Sequence, residues 1–423
     1  MKPTTLLMVT SAFPYGQGEA FVQADLDHLV RHFDAVDIAP CFVNAAQPPR
    51  SVVQHVNLDY ARRRWGAMRW FTVAAAFGRA LLRYRWRDDA RVVLGQPHRL
   101  ENTVEFVRAL YRAQLFEDFL AREVAVKQRE FDLIYFYWMV PEIMGAIQFR
   151  ARSGRKLAIV ARAHGGDLYE DRRSGGYCGL RASVAAGLDA IFCISDHGRA
   201  YLAARYPGAR ARLHTARLGV DDPGRLNVQP PGGALSIVSC SFMVAGKRLH
   251  LIVAAIAHLI ERDPALEIRW THIGDGELFA QLRALVHAHI GTRAQVVFKG
   301  YLLPEQIMAL YACEHFDVFV NVSDCEGVPV SLMEASAVGI PMVATDVGGS
   351  GEIVNAANGL LIAADADVAT IAAALVYFKD RARAAPYRAQ ARQQWQQRFN
   401  AQTNYAAFGR QLRALLAPAP DQQ

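Results

Sequence analysis

The chain has 423 residues, of which 52% are hydrophobic, so it is too long for one ordinary core and two domains are expected. No apolar run reaches the roughly 18 residues of a membrane-spanning helix, and the six cysteines form no CxxC pair, which excludes a zinc site or a disulfide framework. The formal net charge is +7, yet no RNA- or DNA-binding motif accompanies it, so no nucleic acid partner is expected.

The first predicted elements are a strand, a loop with two glycines, and a helix. Residues 6–10 are apolar and are followed closely by Pro14, which indicates a buried strand and not a signal peptide. Gly16 and Gly18 in the loop would permit close approach of the backbone to a ligand. Glu19 opens the predicted helix 19–32, near its positive end. A Gly-x-Gly pair alone specifies no particular ligand.

Most of the positive charge lies in residues 61–87, where eight arginines alternate with tryptophans and other aromatic residues. Arginines beside tryptophans at helical spacing suit the headgroup layer of an anionic membrane. The same composition would fit a solvated helix that packs its aromatic residues inward, or an RNA-binding surface. We therefore expect a peripheral contact with the cytoplasmic face of the inner membrane, with the purely structural role as the alternative.

Strands and helices then alternate, which predicts parallel sheets with covering helices. Apolar runs predict strands at residues 36–39, 133–137, 157–161 and 190–194. The loop RAHGGD follows the third of these strands and contains His164 and Asp167. A lone histidine after a strand is more often structural than functional, and the aspartate has the position of a turn or cap residue.

The segment QPPGG at residues 229–233 predicts a linker between two domains, 1–228 and 235–399. Beyond it, strands are predicted at 235–241, 268–273, 296–299, 316–320 and 342–345, and helices at 248–262 and 330–338. Residues 381–416 are predicted to be mostly helical, with a break at Pro386. Of the two Asp-x-Asp pairs, one lies within a predicted helix and one opens a helix, so no metal site is expected.

Two segments of the second half carry candidate chemistry. Lys247 and Arg248 follow the strand 235–241 and open a helix, where they could contact phosphate or be merely solvated. Glu326 and Glu334 stand eight positions apart in NVSDCEGVPVSLMEASAVGIPMVATDVGGSGEIV, around the turn that leads to Pro329. A glycine loop running into a helix start exposes amide groups that suit a phosphate, although many acidic residues near helix starts only favour the dipole.

The second segment is similar to a known signature. Glu326-Gly327-x-Pro329 with Glu334-Ala335, then Gly339-x-Pro341 and Asp346-Val347-Gly348-Gly349, resembles the donor site of the retaining glycosyltransferases of family GT4. The resemblance implies the GT-B fold, which is α/β with two Rossmann-like doubly wound parallel-sheet domains facing a central cleft. It also implies that the second domain binds the nucleotide-sugar and that a last helix, at about 400–418, crosses back to the first domain.

The family's donor-site roles can be transferred to matching positions. The resemblance places Glu326 beside the donor hexose and Glu334 on the ribose hydroxyls. Lys247 would contact the diphosphate, with Arg248 as a second cation, because the family's arginine position is occupied by Phe242. Backbone contacts to the donor are expected from the loop and helix start that include Gly327, Val328, Pro329 and Val330.

The first domain is expected to complete the site. The resemblance places the loop with Gly16 and Gly18 over the donor diphosphate and His164 beside the reacting sugar. Glu19 and Asp167 are the candidate acceptor-binding residues. The loop FPYGQGEAF is similar to loops in enzymes of bacterial exopolysaccharide assembly.

The sequence therefore predicts a cytoplasmic, metal-independent retaining glycosyltransferase without a cofactor. It would move a sugar from a nucleotide-sugar to a polysaccharide or lipid-linked oligosaccharide acceptor. The alternatives are a sugar-nucleotide epimerase or phosphorylase of the same fold, and a catalytically silent nucleotide-sugar-binding or membrane scaffold protein. An oxidoreductase is disfavoured because no complete GxGxxG follows a strand.

Overall fold

The structure is a computed structural model that describes residues 3–16, 19, 21–43, 48–66, 78–80, 82, 87–95, 98–173, 175–228 and 233–417. Most of the segment 61–87, for which a membrane contact is predicted, lies outside these residues, and so does Gly18. Within them, no helix has both the length and the apolar character needed to cross a bilayer. The chain folds as two compact units, Met1–Ala216 with Tyr405–Gln423 and Arg217–Asn404, here called the N-terminal and C-terminal units.

The N-terminal unit contains a parallel sheet. Its strands are β1 (Thr5–Thr10), β2 (Ala35–Pro40), β3 (His55–Val56), β4 (Leu133–Phe136), β5 (Ala158–Ala163), β6 (Ala190–Cys193) and β7 (Leu213–Thr215). Its helices are α1 (Val22–Leu29), α2 (Asp59–Gly66), α3 (Arg87–Gly95), α4 (Arg99–Ala125), α5 (Glu142–Ser153), α6 (Gly165–Leu168), α7 (Arg181–Gly187) and α8 (Asp196–Arg205). The strand order is β3-β2-β1-β4-β5-β6-β7.

Both faces of this sheet are covered, as the continuous apolar run of β1 requires. Leu7 and Val9 pack on one face in a cluster that includes residues of α4 and α5. Leu6 and Met8 point to the other face, where α1 and Phe408 near the end of the chain cover them. The alternation along one strand therefore fixes a helical layer on each side of the sheet.

The C-terminal unit repeats this architecture. Its strands are β8 (Leu235–Cys240), β9 (Ile268–Ile273), β10 (Gln295–Phe298), β11 (Val318–Asn321), β12 (Met342–Thr345) and β13 (Gly359–Ile362). Its helices are α9 (Leu249–Arg262), α10 (Phe279–His289), α11 (Pro304–Cys313), α12 (Val330–Ala337), α13 (Val368–Tyr377) and α14 (Arg381–Gln394), and α15 (Ala401–Ala414) ends in the N-terminal unit. The strands are parallel in the order β10-β9-β8-β11-β12-β13.

Two predicted helix boundaries were wrong. The first helix begins at Val22 and not at Glu19, whose carboxylate instead accepts hydrogen bonds from loop amides. The helix α14 continues through Pro386, because the carbonyl that loses its donor belongs to Ala382, an exposed residue that water can reach. The break in the tail comes at Asn400 instead.

Each sheet has one point at which the strand order reverses. It lies between β1 and β4 in the N-terminal unit and between β8 and β11 in the C-terminal unit. Ligands of doubly wound proteins bind beyond the carboxyl ends of the strands at such points. The loops that leave these four strands are therefore the places to examine for function.

Candidate functional site

An ion pair joins the loops that leave β8 and β11. Lys247 ends a short 3-10 turn, Ala245–Lys247, and its Nζ donates to Oε1 of Glu326 at 2.6 Å. Asn321 at 3.0 Å and the Ser323 hydroxyl at 2.7 Å donate to the same oxygen. Only 8% of Glu326 is exposed, so three donors hold this carboxylate in one orientation at the strand-order reversal of the C-terminal sheet.

Arg248 holds the loop after β11 in place through its side chain. Its backbone adopts the left-handed region, with φ of 47°, which turns the side chain away from the direction that Lys247 takes. The guanidinium donates to three carbonyl oxygens, those of Val322 at 2.7 Å, Ser323 at 2.9 Å and Ala364 at 2.8 Å. Arg248 thus holds the segment after β11 in place by hydrogen bonds. The contact with the donor diphosphate that was predicted for Arg248 stays a prediction.

A close approach of two glycines shapes the loop before α12. The amide of Gly349 donates to the carbonyl of Gly327 at 2.7 Å, and a Cβ at Gly349 would lie 2.4 Å from that carbonyl oxygen. Val328 is buried beneath the turn, and Pro329 caps α12, which begins at Val330. The first turn of α12 therefore leaves backbone N–H groups near Glu326 that are suited to an anion.

Glu334 lies on α12 and is buried, and no cation among the described residues shifts its pKa. Burial alone raises the pKa of its carboxyl from 4.5 to about 8. Its electrostatic neighbours are Cys240, at the end of β8, and Tyr311 of α11, and the charge of Glu334 raises the pKa of both groups. A protonated or uncompensated carboxyl in such a place is suited to hydroxyl groups of a ligand, which can both donate and accept.

This burial predicts a pH-dependent stability. The folded chain keeps a proton on Glu334 between about pH 4.5 and 8 that the unfolded chain releases, so stability should fall as pH rises through that window, by at most about 1.4 kcal/mol per pH unit. Glu334→Gln should remove this part of the slope, measured as denaturant unfolding at several pH values. The exposed Glu267→Gln variant is the control and should keep the wild-type slope; equal slopes in all three proteins would contradict the assignment.

In the N-terminal unit, Glu19 organises the loop after β1. Its carboxylate accepts from the amides of Ala12 and Phe13, both at 2.6 Å, and from that of Ser11 at 3.2 Å. The indole N–H of Trp138, just beyond β4, donates to it as well. Glu19 therefore ties together the loops that leave β1 and β4, and its observed partners are protein groups, although an acceptor contact was predicted. Gly16 in the same loop has φ of 79°, which favours glycine.

His164 follows β5 and packs against two aromatic rings. The ring of Tyr137 stacks on it at 4.7 Å and that of Trp138 lies at 4.6 Å. Neither ring nitrogen of His164 has a hydrogen-bond partner within the described parts of the chain, and 5% of the residue is exposed. Burial, with Arg162 nearby, holds the pKa of the imidazole well below its usual range, so His164 is neutral and can donate or accept one hydrogen bond.

Asp167 positions this histidine. Its Oδ1 accepts from the amide of His164 at 2.6 Å and its Oδ2 from the amide of Met139 at 2.5 Å. Burial raises the pKa of Asp167 to about 6, against the opposing effect of Arg181. Both carboxylate oxygens are therefore used in joining the loops after β4 and β5.

The structure brings the predicted residues together in two groups. Lys247, Glu326 and the Gly327 loop meet at the edge of the C-terminal sheet, with Glu334 in the helix behind the loop. Gly16 and Glu19 meet the loop of His164 through Trp138. The sequence analysis had assigned no role to Trp138, Asn321 or Ser323. The polar pair could have been suspected because Asn321 ends β11 and Ser323 lies two residues beyond it, whereas no local pattern marks the tryptophan.

Another acidic residue has a structural role. Asp25 of α1, one of the Asp-x-Asp residues, accepts from Arg162 at 2.9 Å and from the Tyr135 hydroxyl at 2.7 Å. All three side chains are buried, which makes this an internal ion pair. Among the residues that the structure describes, no group of three or more His, Cys, Asp and Glu side chains is arranged to hold a metal ion.

The C-terminal geometry agrees with sequence comparison. Residues 235–380, from β8 to the start of α14, match the family described as glycosyl transferases group 1. The C-terminal unit contains a group 1 glycosyltransferase domain. The putative colanic acid biosynthesis glycosyltransferase WcaL of Escherichia coli K12 is 31% identical over 218 residues, which are 49% of this chain and 51% of WcaL. The chain thus spans about half the length of this curated relative.

Solved structures extend the likeness to the whole fold. A sucrose-phosphate synthase from Thermosynechococcus elongatus has a TM-score of 0.68 at 16% identity, over 98% of this chain and 100% of that one. Anabaena Alr3699/HepE, solved with UDP, has a TM-score of 0.65 at 17% identity, over 97% and 100%. With the two parallel sheets, these neighbours confirm the predicted GT-B fold with two Rossmann-like domains.

Proposed function

We propose that this protein is a retaining glycosyltransferase that moves a sugar from a nucleotide diphosphate sugar to a glycan acceptor. The observation that carries the proposal is the Lys247–Glu326 pair, at 2.6 Å, beside the glycine loop at the strand-order reversal of the C-terminal sheet. It places a cation and a fixed carboxylate next to amides that suit phosphate. The group 1 glycosyltransferase match over this part of the chain supports the same conclusion.

The nucleotide diphosphate sugar binds through its central diphosphate and through the hydroxyl groups at its two ends. Lys247 and the amides at the start of α12 receive the diphosphate, and Glu334 receives the ribose hydroxyls. As the bond to the anomeric carbon breaks, negative charge grows on the diphosphate, and preorganised cations and dipoles stabilise that charge. The UDP bound to the structural neighbour from Anabaena supports a nucleotide donor.

Glu326 changes partners when the donor arrives. Without donor, Lys247 neutralises it. A bound diphosphate carries more negative charge than one carboxylate and competes for the same ammonium group. Asn321 and Ser323 keep Glu326 in place meanwhile, so its carboxylate can accept hydrogen bonds from the hydroxyls of the donor sugar.

The transfer itself needs neither a metal nor a cofactor in this proposal, because Lys247 and the α12 dipole supply the positive charge. The acceptor hydroxyl attacks the anomeric carbon from the face that the diphosphate leaves. Because the new bond forms on the face where the old bond breaks, the configuration is retained, and the departing diphosphate takes the hydroxyl proton. His164, neutral and with both ring nitrogens unpartnered in the described structure, borders the reacting sugar and orients a hydroxyl.

The biological setting follows from the relatives. The curated relative WcaL is described as a putative colanic acid biosynthesis glycosyltransferase, which supports a role in bacterial exopolysaccharide assembly. The competing proposal is a silent nucleotide-sugar-binding protein. It is favoured by one observation, the half-exposed Phe242 where a second phosphate-binding arginine is expected.

A two-stage experiment tests the proposal. The thermal unfolding of the full chain is measured with UDP, GDP, ADP and their sugars, since a ligand of the folded state raises the unfolding temperature. The stabilising nucleotide-sugar is then incubated with glycan acceptors in the presence of EDTA, and release of the nucleotide diphosphate and the anomeric configuration of the product are measured. Stabilisation without release of nucleotide diphosphate would favour the silent protein, and an inverted product would refute the retaining mechanism.

A further inference from the structure

A cleft of about 560 Å³ opens in the N-terminal unit, and all of its lining residues belong to that unit. Helix α4 forms one wall, and the segment that follows β4 forms the floor. The other wall is lined by Arg173, Gly175 and residues of the stretch from Tyr177 to Arg181. The volume is large enough for one or two sugar rings, since ligand pockets of roughly 300–1,000 Å³ hold molecules of drug size. None of its lining residues was singled out from the sequence except Asp167.

The deepest cation in this cleft lacks hydrogen-bond partners. Only 5% of Arg181 is exposed, and its Nη2 donates to the carbonyl of Asp167. For its Nε and Nη1 the described residues provide no acceptor; the thiol of Cys178, a poor acceptor, lies beside the guanidinium. A buried guanidinium with unmet donors is costly unless another molecule supplies an acceptor.

Two carboxylates in this part of the unit are already engaged by other donors. Both oxygens of Asp167 accept backbone amides. Both carboxylate oxygens of Glu142 accept hydrogen bonds, of 2.9 and 2.8 Å, from Arg112, another arginine that lines the cleft. The Nε and Nη1 donors of Arg181 are therefore left for a ligand.

Two further arginines stand at the mouth of the cleft. Arg108 of α4 and Arg173 are exposed, and neither has a carboxylate within ion-pair distance among the described residues. Glu105, one turn before Arg108 on α4, also lines the cleft. A carboxylate accepts hydrogen bonds from hydroxyls, whereas guanidinium groups bind oxyanions in a forked geometry. The combination suits a sugar that carries an anionic group.

The cleft adjoins the loop of His164 within the same unit. Asp167 and Met139 line it, and the carboxylate of Asp167 holds the amides of both Met139 and His164. Asp167 would therefore contact a sugar in the cleft on one side and His164 on the other. In the proposed function, His164 borders the reacting sugar.

We propose that this cleft is the acceptor subsite and that it selects an acceptor sugar bearing an oxyanion, a carboxylate or a phosphate, bound by Arg181 and Arg108. This inference rests on the proposed glycosyltransferase function. The hydroxyls of the same sugar are held by Glu105, and the anion supplies the acceptor that the buried guanidinium lacks.

Saturation-transfer NMR on the full chain tests the proposal with three probes at millimolar concentration. Methyl glucuronide carries a carboxylate, glucose 6-phosphate carries a phosphate, and methyl glucoside is the neutral control. We expect one or both anionic probes to bind at least about tenfold more tightly than the neutral one, and the stronger of the two identifies the oxyanion. Equal binding of all three, or no transfer from either anionic probe, would overturn the proposal.

Variants then locate the binding. Arg108→Ala should weaken binding of the anionic probe about tenfold, while Arg122→Ala, an exposed arginine on the same helix outside the cleft, should not change it. Arg181→Lys keeps the charge but removes donors, and should weaken binding further if the variant folds; Arg108→Ala decides the matter if it does not. Unchanged affinity in Arg108→Ala would overturn the proposal.

The two proposals fail separately. Nucleotide diphosphate binding, measured on the same variants, should stay at the wild-type level because Arg108 and Arg181 belong to the other unit. Loss of anion selectivity with intact nucleotide binding would sink only the acceptor proposal. Absence of nucleotide binding in the wild type would sink the proposed function.

Discussion

Replacing Lys247 by methionine is expected to lower the rate of sugar transfer about a hundredfold. The ammonium group contacts Glu326 in the loop that leads into α12, and removing one preorganised donor from a developing anion commonly costs a factor of about 100 to 1,000. Methionine keeps most of the apolar stem, so the loop should keep its packing. The rate of nucleotide diphosphate release at saturating acceptor measures the effect.

The same unit supplies a matched control. Lys299 forms an ion pair with Glu314 at 2.8 Å and is 29% exposed, compared with 26% for Lys247 in its pair with Glu326. Lys299→Met should therefore change stability by a similar amount and leave transfer within about twofold of wild type. If the two variants lost equal activity, the effect of Lys247 would be a matter of folding and not of leaving-group stabilisation.

The fold could be predicted because, in both halves of the chain, short segments of sequence identify individual strands and turns. The runs Leu235–Cys240 and Met342–Thr345 are mostly apolar, end at polar or glycine-containing turns, and occur as β8 and β12. Buried parallel strands read as such runs because helices cover both of their faces. The glycine loop before α12 was recognisable for the same reason, since its constraints lie within a few residues.

What escaped prediction depends on partners far away in the sequence. Glu19 was predicted to open a helix. Its carboxylate instead accepts hydrogen bonds from amides of its own loop and from the indole of Trp138, which is 119 residues away in the sequence. The unpartnered state of Arg181 follows from how Asp167 and Glu142 are used elsewhere. The helix α4, with 27 residues, was also missed, because its buried positions include polar residues such as Asn102 and Gln114 that blur the apolar period.

Replacing Glu326 by glutamine should cut turnover by roughly a factor of ten or more while the protein stays folded. Glutamine has the same size, and its carbonyl oxygen can still accept from Asn321 and Ser323, which hold the carboxylate now. It loses the charge, however, and hydrogen bonds to a charged acceptor are about twice as strong as neutral ones. A transition-state contact weakened by about 1.4 kcal/mol slows the reaction tenfold.

The control for this variant is Glu314→Gln, which neutralises the carboxylate of the other ion pair and should leave turnover unchanged. Wild-type turnover in Glu326→Gln would refute its role in transfer. The double variant with Lys247→Met gives a further test, because residues that act as a unit show effects that do not multiply. If the ammonium leaves Glu326 for the diphosphate when the donor binds, losing either partner disables the same rearrangement, and the double variant should be only slightly slower than Lys247→Met alone. Fully multiplicative losses would mean instead that the two groups contact the donor independently.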